Sequence, residues 1–259
     1  MHVALYWSRR DFRLDDNPAL SAAVRESRER GAAFLPVFIL EDYMCAGDPA
    51  AQFGYPQRLF LARAVPAYAR QFEEFYILRG KAARTIVEMC HALHGAGHTV
   101  TVYVNDDVYP DFYTQVQKLK DAGVAVEVRA DQMTVSADTV TGAGKHYSVF
   151  TPFKNAVWST FLSAPVVPRV DVRGLMRLDG ATTQLLPETL AIDEQVLLRE
   201  FSTARTFEVR AEKRHIFDIA ALTTTAPDLG GWYTTEAQAQ ERFVAYCADG
   251  LRYYSTRRD

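Results

Sequence analysis

Cysteine is scarce in this chain of 259 residues: Cys45, Cys90 and Cys247 are odd in number, far apart and never in Cys-x-x-Cys spacing. That pattern excludes a disulfide framework and a thiolate zinc site, and it predicts reduced thiols in a cytoplasm. A basic excess is also lacking. With 29 Lys and Arg against 32 Asp and Glu, the formal net charge is -3. A dedicated nucleic-acid module, which neutralises phosphates with surplus cations, is therefore excluded. The longest apolar stretch, near 32–40, falls far short of the roughly 20 residues of a membrane span. A strand-like run begins at Val3 with no leader before it, so the expectation is a soluble, cytoplasmic, untargeted protein.

Catalytic signatures are missing too. The turn after the first strand reads Ser-Arg-Arg-Asp-Phe-Arg, where a dinucleotide site would need Gly-x-Gly-x-x-Gly. The pairs Gly95-Ala-Gly97 and Gly142-Ala-Gly144 read as turns, and no Gly-x-Ser-x-Gly elbow is present. His91, His94 and His98 imitate a ligand spacing, but Gly95 and Gly97 break the helix between the last two. No catalytic and no metal-binding residue is nominated.

What is present is alternation. Short runs rich in β-branched and aromatic residues at 3–7, 33–40, 75–78, 99–104 and 124–128 are separated by helix patterns at 18–30, 56–73, 81–94 and 110–122. This predicts an α/β, Rossmann-like fold: a five-stranded parallel sheet in the order 3-2-1-4-5, with helices on both faces. Asn17 with Pro18, Pro56 and Pro110 mark helix starts, and Gly95, Gly97 and Gly123 mark helix stops. A hairpin-like excursion around 134–150 and a helix near 152–162 follow. The chain divides into an α/β domain over 1–163 and, over 164–259, a surface-wrapping connector that ends in a helix at 235–249.

In open parallel sheets, ligands meet the loops at the carboxyl ends of the strands. The loop over 8–17 carries Arg9, Arg10, Asp11, Arg13, Asp15 and Asp16, either an internal ion-pair network or a solvated charged turn. Asn105, Asp106 and Asp107 follow the fourth strand, as pocket residues or as turn and cap residues before Pro110. The loop over 41–55, with Asp42, Cys45, Phe53 and Tyr55, suits a flat ring or packing onto its own helix, and Arg58 could face a ligand.

Several segments together resemble the N-terminal half of the DNA photolyase and cryptochrome family: Trp7-Ser-Arg-Arg-Asp-Phe-Arg-Leu-Asp-Asp-Asn-Pro-Ala-Leu20, then 58–61, 105–110, Asp131 and Tyr147-Ser-Val-Phe-Thr-Pro-Phe153. In the last motif Lys154 follows Phe153 directly, where the family usually has tryptophan first. The resemblance implies an antenna chromophore in the crevice behind strands one, two and four. It brings Asp107 to a deazaflavin-contacting position, with Asn105, Asp106, Arg9, Asp42, Cys45 and Arg58 as further candidates. The family's folate-contacting Asn-Glu pair is replaced by Asp111 and Phe112, which favours a flavin or deazaflavin antenna, or none, over folate. Arg10, Asp11 and Arg13 take a bracing role by the same resemblance.

Full-length relatives bind FAD in a separate helical domain, flip pyrimidine dimers out of DNA and split them by light-driven electron donation. The Thr-Ser-Arg-Leu-Ser-Pro motif of that domain does not occur here, and the sequence ends at Arg257-Arg258-Asp259. The expectation is an antenna domain that is inactive alone, has a helical FAD domain as partner in cis or in trans, and meets damaged DNA only through it. The alternative is a stand-alone nucleotide- or protein-binding module without photochemistry.

Overall fold

The computed structural model describes residues 1–45, 54–131, 144, 147–163, 166–202, 233–248 and 250. The strands β1 (His2–Ser8), β2 (Ala33–Leu40), β3 (Tyr76–Arg79), β4 (Thr99–Asn105) and β5 (Ala125–Arg129) form one parallel sheet in the order β3-β2-β1-β4-β5. The helices α1 (Pro18–Arg30), α2 (Tyr55–Ala69), α3 (Ala82–Gly95) and α4 (Pro110–Asp121) are the crossovers. Winding reverses at β1, so the loops after β1 and β4 part and open a crevice at the carboxyl edge. The fold class and strand order match the sequence reading.

The period of two along each strand feeds two cores. Ala4, Tyr6, Phe34, Phe38 and Ile77 face α1 and α2, whereas Val3, Leu5, Trp7, Val37, Leu78 and Val102 face α3 and α4. Both faces are covered, which is why β2 reads as an unbroken apolar run and is buried throughout. Pro36 lies within this inner strand without breaking a ladder. The Phe34 amide bonds the Met176 carbonyl on the β3 side of β2, so Pro36, two residues on, turns its missing donor to that side too. There β3 has not yet begun, since its first partner is Val37.

Helix ends follow the sequence signals. The Asn17 side chain caps α1 by accepting from Leu20 N, with Pro18 in the first turn. Gly97 (φ 82) and Gly123 (φ 77) take the left-handed turns that lead into β4 and β5. Helix α3 runs through Gly95, and α2 stops at Ala69 rather than Glu73, after which Gln71 and Phe72 close short turns onto Tyr68 and Ala69.

Beyond the sheet come α5 (Phe150–Ser163), α6 (Gly180–Thr183), α7 (Glu194–Ser202) and α8 (Glu236–Ala248). Residues 166–202 wrap the sheet: Val170 N bonds Leu14 O and Leu190 N bonds Ile77 O. Val170, Val172, Leu175 and Leu197 enter one core, and Leu178 and Leu186 the other. Helix α7 packs on α2. The expected hairpin falls largely outside the described residues. Among the described residues, no helix is long and apolar enough to cross a membrane.

Candidate functional site

The charged loop after β1 is an internal network. Asp11, 4% exposed, accepts from Tyr6 Oη at 2.6 Å, Arg9 N at 2.9 Å, Ser8 Oγ at 3.3 Å and Asn105 Nδ2 at 2.6 Å. Asn17 Nδ2 donates to Tyr6 Oη and to the carbonyls of Asp11 and Arg13, while Asn105 Oδ1 accepts from Ala19 N. Loop, helix start and strand end are thus locked by groups that satisfy one another, as burial of a carboxylate requires. Burial, with the Asp11 charge adding, raises the Tyr6 hydroxyl well above its ordinary value. Asn105, a ligand candidate in the sequence, faces this network, with both its donor and its acceptor engaged.

Arg9 lies between the rings of Trp7 and Phe112, at 5.0 and 4.9 Å from their centroids, and approaches Asp107 at 3.6 Å. Arg10 reaches Asp107 at 3.7 Å and stacks on Tyr109 at 4.0 Å. The second Asp107 oxygen accepts from Tyr109 N, which is the turn role weighed in the sequence. Arg13 pairs with Asp131, and Asp106 accepts from Asp131 N. Burial raises the Asp131 carboxyl, while Arg13 pulls it back down. Arg9, Asp106 and Asp107 therefore gather around a cavity of about 10 Å³ among the described residues.

Asp42, Cys45 and Arg58 belong to the neighbouring loop and the start of α2. Asp42 is half-exposed and lies 4.0 Å from Arg79. The buried Cys45 thiol is pushed up to about 11, chiefly by burial, and bonds Glu41 O. Glu41, which the sequence reading did not single out, is 7% exposed and accepts from Ala82 N and Gln115 Nε2. Burial raises its carboxyl. Beside it, Arg9 Nη1 and Gln115 Oε1 are buried without a hydrogen-bond partner among the described residues.

Among the described residues, a roomier cavity lies on the other side of Arg10. A cavity of about 840 Å³ opens between the β1–α1 loop, α2 and α8, lined by Arg10, Phe12, Phe60, Leu61, Tyr109 and Tyr233 among others. Glu236 fixes its far wall by accepting from Leu14 N at 3.0 Å and Asp15 N at 2.9 Å. Arg169 bridges Asp15 and Glu236, and Gln240 Nε2 donates to Asp15. Burial tends to raise the Asp15 carboxyl, but the hydrogen bonds from Gln240 and Arg169 together hold it below its ordinary value. The Thr235–Gln238 signature marked the start of α8, yet nothing local showed that Glu236 meets a loop more than two hundred residues away.

Residues 4–171 match the family model for DNA photolyase. The deoxyribodipyrimidine photo-lyase of Synechococcus sp. (strain PCC 6301) is 29% identical over 78% of this chain and 39% of its own length. That of Salmonella typhimurium is 27% identical over 75% and 41%. An uncharacterized 31.6 kDa protein of Synechococcus sp. (strain PCC 6716) is 29% identical over 70% of this chain and 63% of itself. The chain thus spans about two-fifths of the photolyases it matches. Among solved structures, a class III photolyase of Agrobacterium tumefaciens (TM-score 0.54, 24% identity, 74% of this chain and 38% of that one) and a Synechocystis cryptochrome (0.53, 16%, 73% and 41%) share the fold. The chain belongs to the DNA photolyase family, and its α/β unit is that family's N-terminal domain.

Proposed function

We propose that this chain is the light-harvesting half of a photolyase-family protein, an α/β unit that holds an antenna ring and docks on a helical flavin-binding half, in cis or in trans. The observation that carries the reading is α5. Its Phe150, Trp158 and Leu162 are 72%, 50% and 67% exposed, on a chain that spans only two-fifths of its photolyase relatives. Large apolar side chains grouped on one helix mark a surface to be covered. In that assembly FAD supplies the photoexcited electron when bound in the helical half, and damaged DNA is met through that half. This chain contributes position and light capture.

The antenna is of the flavin or deazaflavin class. Phe112, at a position of the family's folate-contacting pair, is fully buried beneath Arg9 and offers no hydrogen bond to a pterin. The absorption spectrum of the purified chain, before and after titration with riboflavin, FMN and a deazaflavin, tests the reading. A band beyond protein absorption that co-elutes with the chain supports it, and a colourless protein that takes up none of them counts against it.

A second reading is favoured by the 31.6 kDa relative, of which the match covers 63%, against about two-fifths of the photolyases. It makes the domain a stand-alone module that binds a nucleotide or a protein without photochemistry. Binding of a nucleotide lacking a visible chromophore, with no uptake of flavins, would favour it.

A further inference from the structure

Resting on the reading that this chain docks on a helical half, we propose that α8 is the bracket between the two. Its first turn is latched to the α/β unit, and its far half carries Phe243 and Val244 into the helical half. The latch is polar and local: Glu236 accepts from the amides of Leu14 and Asp15 and pairs with Arg169, and Gln240 donates to Asp15. No residue of α8 is buried. Phe243 stands seven residues after Glu236 and Val244 four after Gln240, so both continue the latched face of the helix. Each is nevertheless 66% exposed, so the face that begins against the β1–α1 loop ends open to solvent.

A helix of 13 residues is marginal in water on its own and takes most of its stability from packing an apolar face. The apolar part of this face is the part left uncovered. Its occupant follows from what the relatives carry outside the match: about three-fifths of each photolyase relative lies there, and α8 itself lies past the segment 4–171 that fits the family model. A helix fixed to the α/β unit at one end and open at the other fits a seat in that remainder. Glu241 and Arg242 flank the apolar pair with charges of both signs, as at an interface whose apolar core has a polar rim. Glu236 and Gln240 are then positioning residues. They fix the direction in which Phe243 and Val244 are presented, and that order would otherwise be lost from the affinity.

The helical FAD-binding half of a photolyase relative is titrated into the full chain, with melting temperatures and hydrogen exchange measured alongside. Phe243→Gln with Val244→Lys, which keeps helix formers in α8, should weaken binding about tenfold or more at an unchanged melting temperature. The conservative pair Phe243→Leu with Val244→Ile should retain it within about threefold. Glu236→Ala, at the end of α8 away from the partner, should weaken it about three- to tenfold through lost orientation. In the wild-type complex, exchange should slow across Phe243–Ala248. Binding within about twofold of wild type for the Gln/Lys pair, or unchanged exchange in α8 on complex formation, overturns this assignment and leaves docking through α5 standing. Wild-type self-association that the Gln/Lys pair abolishes, at unchanged affinity for the helical half, makes a second copy the cover of α8 and also overturns it. If the wild-type chain binds no helical half, the docking reading fails and this assignment with it.

Discussion

Asn105, the last residue of β4, donates at 2.6 Å to the carboxylate of Asp11 in the loop after β1, tying two strand ends on either side of the winding reversal. Its removal strands Asp11, Asn17 and the Ala19 amide at once. Asn105→Ala should therefore lower unfolding stability by about 2–3 kcal/mol, the upper part of the range for an unmatched buried polar group. Asn105→Asp should be worse at neutral pH, where two carboxylates face each other, and should recover in acid. Urea unfolding at pH 7 and pH 4 measures both, and a loss under about 0.5 kcal/mol, typical of surface changes, would show that the network is not structural.

Glu41 gives the fold a pH dependence of definite sign. Burial raises its folded-state value, so the folded protein holds this proton more tightly than the unfolded chain does. The stability it contributes is complete below the unfolded value near ~4.3 and declines as pH rises through the folded value. Glu41→Gln keeps an acceptor for Ala82 N and removes the titration. The stability of the variant relative to wild type should grow from acid to neutral pH and then level off. A difference that is flat with pH contradicts the assignment.

The clamp at Glu236 should set the exposure of the loop it holds. Glu236→Ala frees the amides of Leu14 and Asp15 and removes one arm of the Arg169 bridge. The expected cost is about 1 kcal/mol, because the bridge is partly exposed and screened. Hydrogen exchange should speed up at Leu14, Asp15 and across α8 while the β1 and β4 amides stay protected. Unchanged exchange in the loop would mean that α8 is held by other contacts.

The exposed face of α5 should matter for association and not for folding. Trp158→Ser with Leu162→Glu removes apolar surface from positions 50% and 67% exposed, so the melting temperature should hold within error. Binding of a helical photolyase half, followed by sedimentation, should fall about tenfold or more. A loss of melting temperature would place these side chains in the core of this domain instead.

The sheet was legible because both of its faces are covered. Buried parallel strands must be apolar throughout, their helices must open and close at Asn17, Pro18, Gly97 and Gly123, and a single reversal of winding follows from two-sided cover. The site was legible only in part. Arg9, Asp106 and Asp107 cluster because each ends or follows a strand, a position set by local sequence. Whether Asn105 turns outward to a ligand or inward to Asp11 depends on residues some ninety positions away, and period and propensity do not carry that. The cavity wall at Glu236 was hidden for the same reason, and α7 was missed because it is only nine residues long and stands in a connector interrupted by prolines, while packing on α2 holds it.

The central claim is that this chain harvests light for a helical half and does no repair alone. Light-driven loss of thymine dimers should be measured with the chain alone, with the separately produced helical FAD-binding half of a photolyase relative, and with both, each with riboflavin present. The account predicts no loss with the chain alone and, under blue light absorbed by the bound ring, a faster loss with both than with the helical half alone. Dimer loss by the chain alone, or equal rates with and without it, would contradict the account.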